Sequence, residues 1–272
     1  MIAGIELLHD PAALPAFAQA NGWAYRAVGD PPALAARRWE RGSYGAARAV
    51  ITGDGWQVGH LVGKSRGAVA ARAETEEPRL GFFAIRLPRF MPHLILDAVG
   101  NDVRGSSSLV RQPKRSQRLS LEGDFDQHFT LYVPKGYERD ALYVFTPDLM
   151  ALLIDETGDL DVEVRDDVVI ILKPGSFDLA DPATWQRFDR LRAIIGRTFH
   201  TRTKRWEDDR VAPLRPDFQP VWSDVAPAGR RLRERLSKSA TVGIAVGIGG
   251  VLIALAAIGM LPILAAGAAQ TG

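Results

Sequence analysis

Asp159-Leu160-Asp161-Val162-Glu163-Val164-Arg165-Asp166-Asp167-Val168-Val169-Ile170-Ile171-Leu172 is the most informative run of this 272-residue chain. Its first half alternates strictly. Leu160, Val162 and Val164 fall on one side, and Asp161, Glu163 and Arg165 on the other. A repeat of two is the period of a strand with one face on a core and one in water. Asp166-Asp167 then has turn chemistry, so the sequence predicts a hairpin returning through Val168–Leu172. The acidic set Asp155, Glu156, Asp159, Asp161 and Glu163 lacks the Asp-x-Asp-x-Asp-Gly order of a calcium loop, and the alternation accounts for its outward side chains.

Working outward, the same signals recur. Asp10-Pro11 reads as a helix cap with proline at the first helical position, opening a helix that stops near Asn21-Gly22. Asp30-Pro31-Pro32 repeats the signal for a short helix carrying Leu34. Ala47–Thr52 and Trp56–Val62 flank Gly53-Asp54-Gly55 as a hairpin, and Ala68–Thr75 with Leu80–Leu87 suggests another. Residues 97–117 read as a long polar loop. Arg118–Leu121 and His128–Val133 are strand-like. Pro147–Ile154 is a helix that Thr146 can cap, and Asp181-Pro182 starts a long helix through Trp185, Phe188, Leu191, Ile194 and Ile195. Short strands at close spacing with helices between and after them make an α+β domain over residues 1–210, mainly antiparallel sheet with packed helices. Regular βαβ alternation is missing.

The C-terminal part reads differently. Residues 211–240 begin proline-rich, with Pro213, Pro216, Pro220 and Pro227, and end basic. Arg230, Arg231, Arg233, Arg235 and Lys238 against Glu234 give +4, which leaves −2 for the rest of a chain of net +2. Thr241–Leu261 then runs 21 residues with Thr241 alone polar, enough at about 1.5 Å per residue to cross a hydrocarbon core of roughly 30 Å. A transmembrane helix is expected over 241–264, followed by a short tail, 265–272. The basic cluster lies before the span and no charge follows it, so the positive-inside bias places residues 1–210 in the cytoplasm of a single-pass cell-membrane protein. The same five side chains would meet anionic headgroups of the lipid bilayer. Gly243, Gly247, Gly250, Ala254 and Ala257 step by four and three, so they line one helix face suited to homodimer packing.

Motifs that carry chemistry are sparse. Cysteine is absent, which excludes disulfides and thiolate sites. Gly59-His60-Leu61-Val62-Gly63-Lys64-Ser65 has three residues between its glycines where a phosphate-binding loop needs four, and no helix pattern follows it. The arginines of 187–210 are diluted by Glu207, Asp208 and Asp209, so they read as a helix face and not as a nucleic-acid surface. Asp124, Asp126 and His128 alternate. In a strand they share a face, and two carboxylates with an imidazole suit a divalent metal. No cofactor is expected. Two functions follow: a membrane-anchored cytoplasmic binding or scaffold module of unknown ligand, with an unknown protein partner, or a membrane-tethered hydrolase or metal-dependent enzyme using Asp124, Asp126 and His128.

Three stretches are familiar together: Asn21-Gly22-Trp23-Ala24-Tyr25, Ile85-Arg86-Leu87-Pro88, and FTLYVPKGYERDALYVFTPDLMALLID at 129–155. With them the chain resembles a group of uncharacterised actinobacterial proteins of α+β build, often membrane-tethered. That resemblance implies origin and build, and it offers no catalytic residues to carry over. Phe129, Tyr143 and Phe145 read independently as core positions.

Overall fold

The structure, a computed structural model, describes residues 2–34, 44–63, 80–102, 111–121, 123–203, 206–211 and 225–236. It is α+β with a mostly antiparallel sheet. The strands of the sheet are β1 (Ala24–Gly29), β2 (Tyr44–Gly53), β3 (Trp56–Gly63), β4 (Leu80–Ala98), β6 (Arg118–Leu119), β7 (Phe129–Tyr132) and β8 (Asp161–Pro174). The helices are α1 (Leu14–Ala20), α2 (Phe125–His128), α3 (Glu138–Val144), α4 (Pro147–Thr157) and α5 (Pro182–Thr203). Two compact units are distinct: residues 1–108 with 114–233, and 109–113 with 234–272. In the second unit the described part is a two-stranded pairing of β5 (Arg111–Pro113) with β9 (Glu234–Leu236), Gln112 opposite Arg235.

The 19-residue β4 organises the first unit. One edge of β4 takes β3 at Leu80–Ile85 and β7 at Ile95–Ala98, and the other edge takes β8 over nearly its whole length. The strand orders are therefore β1-β2-β3-β4-β8 at one end and β6-β7-β4-β8 at the other. Pro88 and Pro92 have no N–H to give the ladder, and the register shifts between Arg86, Met91 and Leu94.

The predicted hairpin at 159–172 is not formed. β8 is one continuous strand. Asp166 does adopt the left-handed backbone that a turn would use, with φ of 52°, but it does so as a bulge opposite the proline-interrupted stretch of β4. Two irregular strands bend together there, and the chain continues.

All five helices lie on one sheet face. Leu14 and Phe17 of α1, Phe125 of α2, Val144 of α3, Leu149 and Leu153 of α4, and Trp185, Phe188 and Leu191 of α5 join Trp56, Phe83, Leu96, Leu131 and Val162 in one core. Trp23, Trp56, Trp185, Phe17 and Phe188 pack edge to face or stacked, with ring centroids 4.8–6.4 Å apart. The opposite face carries a second apolar cluster: Ala47, Val50, Leu61, Leu80, Phe82, Ala84, Val168, Ile170 and Leu172, with Leu34 and Tyr44 against it.

The helix starts follow their caps. Asp10 accepts the Ala12 N–H at 2.8 Å and so caps a 3-10 turn, Pro11–Ala13, that runs into α1, and Asp181 accepts the Ala183 N–H at 2.9 Å. Thr146 stands at the N-cap of α4 without a side-chain bond. Four further expectations are corrected. Residues 31–34 form no helix. Tyr143 is 42% exposed and not a core residue, whereas Phe129 and Phe145 are buried. Asp161, Glu163 and Arg165 are 1%, 3% and 2% exposed, so the polar face of β8 is not wet. The loop predicted over 97–117 is ordered at its described ends, where β4 reaches Ala98 and β5 begins at Arg111. No described helix is long and apolar enough to cross a membrane, and residues 241–264 lie outside the described residues, as do 68–75.

Candidate functional site

Asp124, Asp126 and His128 do not form the site their alternation suggested. They sit in and before the single turn of α2, with Asp124 at the N-cap. Positions two apart on a helix diverge by about 200°, so the three side chains share no face. Asp126 is taken up locally: it accepts from the Ser120 hydroxyl and from the Leu121 N–H at 3.2 Å. Among the described residues no group of three or more His, Asp or Glu is placed to hold a metal. The glycines 59 and 63 lie inside β3, and not in a loop before a helix.

The buried polar side chains gather instead where residues 206–211 and 225–233 return to the first unit. Asp208 is the centre of one cluster. Its Oδ2 accepts from Tyr137 Oη at 2.5 Å and from the Ala226 N–H at 2.8 Å. Its Oδ1 accepts from the Arg210 N–H and from Arg210 Nη1, both at 3.0 Å. The Arg210 guanidinium lies 4.2 Å from the Tyr137 ring centre and also donates to Asp140 at 2.9 Å and to the Gly136 carbonyl at 2.6 Å. Asp140 accepts from the Trp206 indole at 3.0 Å. Burial pushes the Asp208 carboxyl up, but the bonds from Tyr137, the two N–H groups and Arg210 outweigh it and hold the carboxyl below its usual range. Burial, then the neighbouring carboxylate, push the Tyr137 hydroxyl well up.

His93 of β4 is the centre of the other cluster. Its Nδ1 accepts the Leu232 N–H at 3.1 Å, which leaves Nε2 to donate to Glu163 Oε1 at 2.9 Å. The His93 backbone N–H donates to the Gly229 carbonyl at 2.9 Å. On the same face Asp161 accepts from the Ala98 N–H at 3.0 Å and from Asn101 at 2.9 Å. Gln117 continues the seam: it accepts the Arg233 N–H at 2.8 Å and donates to the Arg233 carbonyl at 2.7 Å.

A histidine against a carboxylate is the arrangement of a general base, but both ring nitrogens of His93 are committed here, one of them to backbone. Asp208 accepts four hydrogen bonds. These groups hold chain to chain. The basic residues singled out above belong to the held segment. Arg230 Nε donates to the Val225 carbonyl at 2.8 Å, Arg231 pairs with Asp166 at 2.9 Å, and Arg233 is fixed through its backbone by Gln117. Arg235 lies in β9. Lys238 and Gly243, Gly247, Gly250, Ala254 and Ala257 lie outside the described residues.

The sequence offered no signal for His93, Tyr137 or Asp208. Tyr137 and Asp208 are 71 residues apart, and His93 and Leu232 are 139 apart, so no local spacing brings them together. A Cβ at Gly229 would stand 2.3 Å from the Tyr137 ring, so only glycine lets the returning segment pass.

No family model and no curated protein matches the chain. Among solved structures, a crystal structure of the mycobacterial trehalose monomycolate transport factor A, TtfA, is similar at 11% identity and a TM-score of 0.42, over 68% of this chain and 93% of that chain. A likeness at that level assigns no residue here a role.

Proposed function

We propose that this protein is a binding module held against the cytoplasmic face of the cell membrane by a helix over residues 241–264. The observation that carries the reading is the grip on residues 225–233. Five backbone groups of that segment are bound by the folded unit: the Ala226 N–H by Asp208, the Gly229 carbonyl by the His93 N–H, the Leu232 N–H by the His93 ring, and the Arg233 N–H and carbonyl by Gln117. Only residues 234–240 separate Arg233 from the apolar run that begins at Thr241. Fully extended, that piece of chain reaches at most about 30 Å. A loose proline-rich linker would let the module roam, whereas this attachment keeps it within a short tether of the bilayer. A binding role fits a fold that spends His93, Glu163 and Asp208 on holding its own chain.

Orientation supplies the test. The chain has no cysteine, so single substitutions report cleanly. With Lys135→Cys on the exposed surface of the module and Gln270→Cys beyond the span, an impermeant thiol reagent applied to intact cells is expected to label the second variant alone. Labelling of the Lys135 variant alone would reverse the orientation.

A further inference from the structure

We infer that the sheet face opposite the helices carries a binding cleft for a small organic anion with a hydroxyl beside its charged group. The inference rests on the binding half of the reading above and not on the membrane tether. The cleft has a volume of about 340 Å³, within the range of sites for one small molecule. Its floor is the row of side chains that β1, β2, β3, β4 and β8 present at their hairpin end. Thr52 and Gln57 are direct cross-strand partners in its centre. Arg26, which pairs with Val50, flanks the row on the β1 side, and Arg86, which pairs with Val168, flanks it on the β4 side. Leu34 and Val168 supply apolar wall.

The polar groups of this cleft are incompletely used. Gln57 Oε1 is buried, and among the described residues no donor reaches it. A buried acceptor without a donor is costly, so Gln57, half-buried on the cleft floor, gains a bond that the free protein lacks by turning that carbonyl to a ligand O–H. Arg26 spends one N–H on the Asp30 carbonyl at 3.0 Å and has further donors left. Arg86 pairs with Asp167, so among the described residues the two guanidiniums and that carboxylate leave one net positive charge around the cleft. Positive rim, hydroxyl-bearing Thr52 and an open amide carbonyl together select an anion with an adjoining hydroxyl. Phosphorylated sugars have this chemistry, free in solution or as the headgroup of a lipid.

Calorimetric titration of the full chain in neutral-detergent micelles tests the inference and separates the two sources. The probes are glucose 6-phosphate, dihexanoyl phosphatidylinositol, glucose and inorganic phosphate. Binding of glucose 6-phosphate, weakened about tenfold or more by Arg26→Ala and by Gln57→Leu but not by Lys135→Ala, is the result expected for a soluble ligand. The same pattern with the phosphatidylinositol alone identifies a lipid headgroup. Gln57→Glu, of equal size, must also abolish binding while the melting temperature is kept, which guards against a misfolded leucine variant. Inorganic phosphate binding as tightly as glucose 6-phosphate, affinity indifferent to Arg26→Ala, or no heat with any probe would each overturn the cleft. A failed labelling experiment on orientation would leave these results unchanged.

Discussion

His60 shows how one residue converts burial into pH dependence. It sits on β3 with Nε2 between the Phe177 N–H at 3.1 Å and the Phe177 carbonyl at 3.0 Å, so either neutral tautomer is paired. Burial, with Arg48 and Lys173 nearby, outweighs the Phe177 carbonyl and lowers its pKa to about 4. The sign follows directly. Between about 6.5 and 4 the unfolded chain takes up a proton that the folded one refuses, so stability is full above that window and is lost as pH falls through it. The loss amounts to roughly 3 kcal/mol at the bottom of the window. Urea midpoints of the parent and of His60→Gln, whose amide cannot titrate, are expected to converge as pH drops from 7 to 4. Parallel curves would refute the account. Gly229 makes a steric point at the same scale. Gly229→Ala places a methyl against the Tyr137 ring and is expected to cost about 1–3 kcal/mol. In a Tyr137→Leu background, which removes the ring, the extra cost of the alanine should shrink, and urea unfolding of the four proteins measures the coupling.

Elements explain what was legible in the sequence and what was not. α1 and α5 were readable because Asp10-Pro11 and Asp181-Pro182 declare a helix start locally, Asp10 by capping the 3-10 turn Pro11–Ala13 that leads into α1 and Asp181 by bonding the first turn of α5. The strands of the hairpin around Asp54-Gly55 were readable for the same reason. β8 was half readable. Alternation reports which residues share a face, but not whether that face meets water, and Asp161 and Glu163 turn out to meet Asn101 and His93. Asp166 carried the right backbone tendency, yet turn and bulge use the same left-handed residue, and only the partner strand decides between them. α2 is four residues long, too short to impose a helical period on Asp124–His128, so a strand pattern there was accidental. The seam residues left no trace because their partners are distant in sequence. Asp208 tests that seam. Asp208→Ala removes the acceptor of Tyr137, Ala226 and Arg210 together and strands the buried Tyr137 hydroxyl and Ala226 N–H, so a loss of about 2–4 kcal/mol is expected. Thermal unfolding with Tyr137→Phe as the milder comparison measures it. A change below about 1 kcal/mol would mean that the returning segment is not held by Asp208.

At the scale of the molecule, the returning segment sets where the folded unit ends. Composition drew a boundary at 210, with a linker after it. The hydrogen bonds place Ala226, Gly229, Leu232 and Arg233 among the residues that the folded unit binds. Two truncations separate these descriptions. A chain ending at Ala240 keeps every described contact, whereas one ending at Pro227 strips the Leu232 N–H from the His93 ring, the Gly229 carbonyl from the His93 N–H and the Arg233 backbone from Gln117. Each bond is worth about 1 kcal/mol, and stranding Gln117 and His93 as buried polar groups adds a comparable penalty apiece. The shorter chain is therefore expected to melt well below the longer one, with hydrogen exchange accelerated first in β4 around His93. The full chain should resist alkaline extraction from membranes, and the chain ending at Ala240 should be released folded. Equal melting temperatures for the two truncations would make residues 228–240 a passive linker. The attachment would then be loose, and the case for a module held close to the bilayer would fall with it.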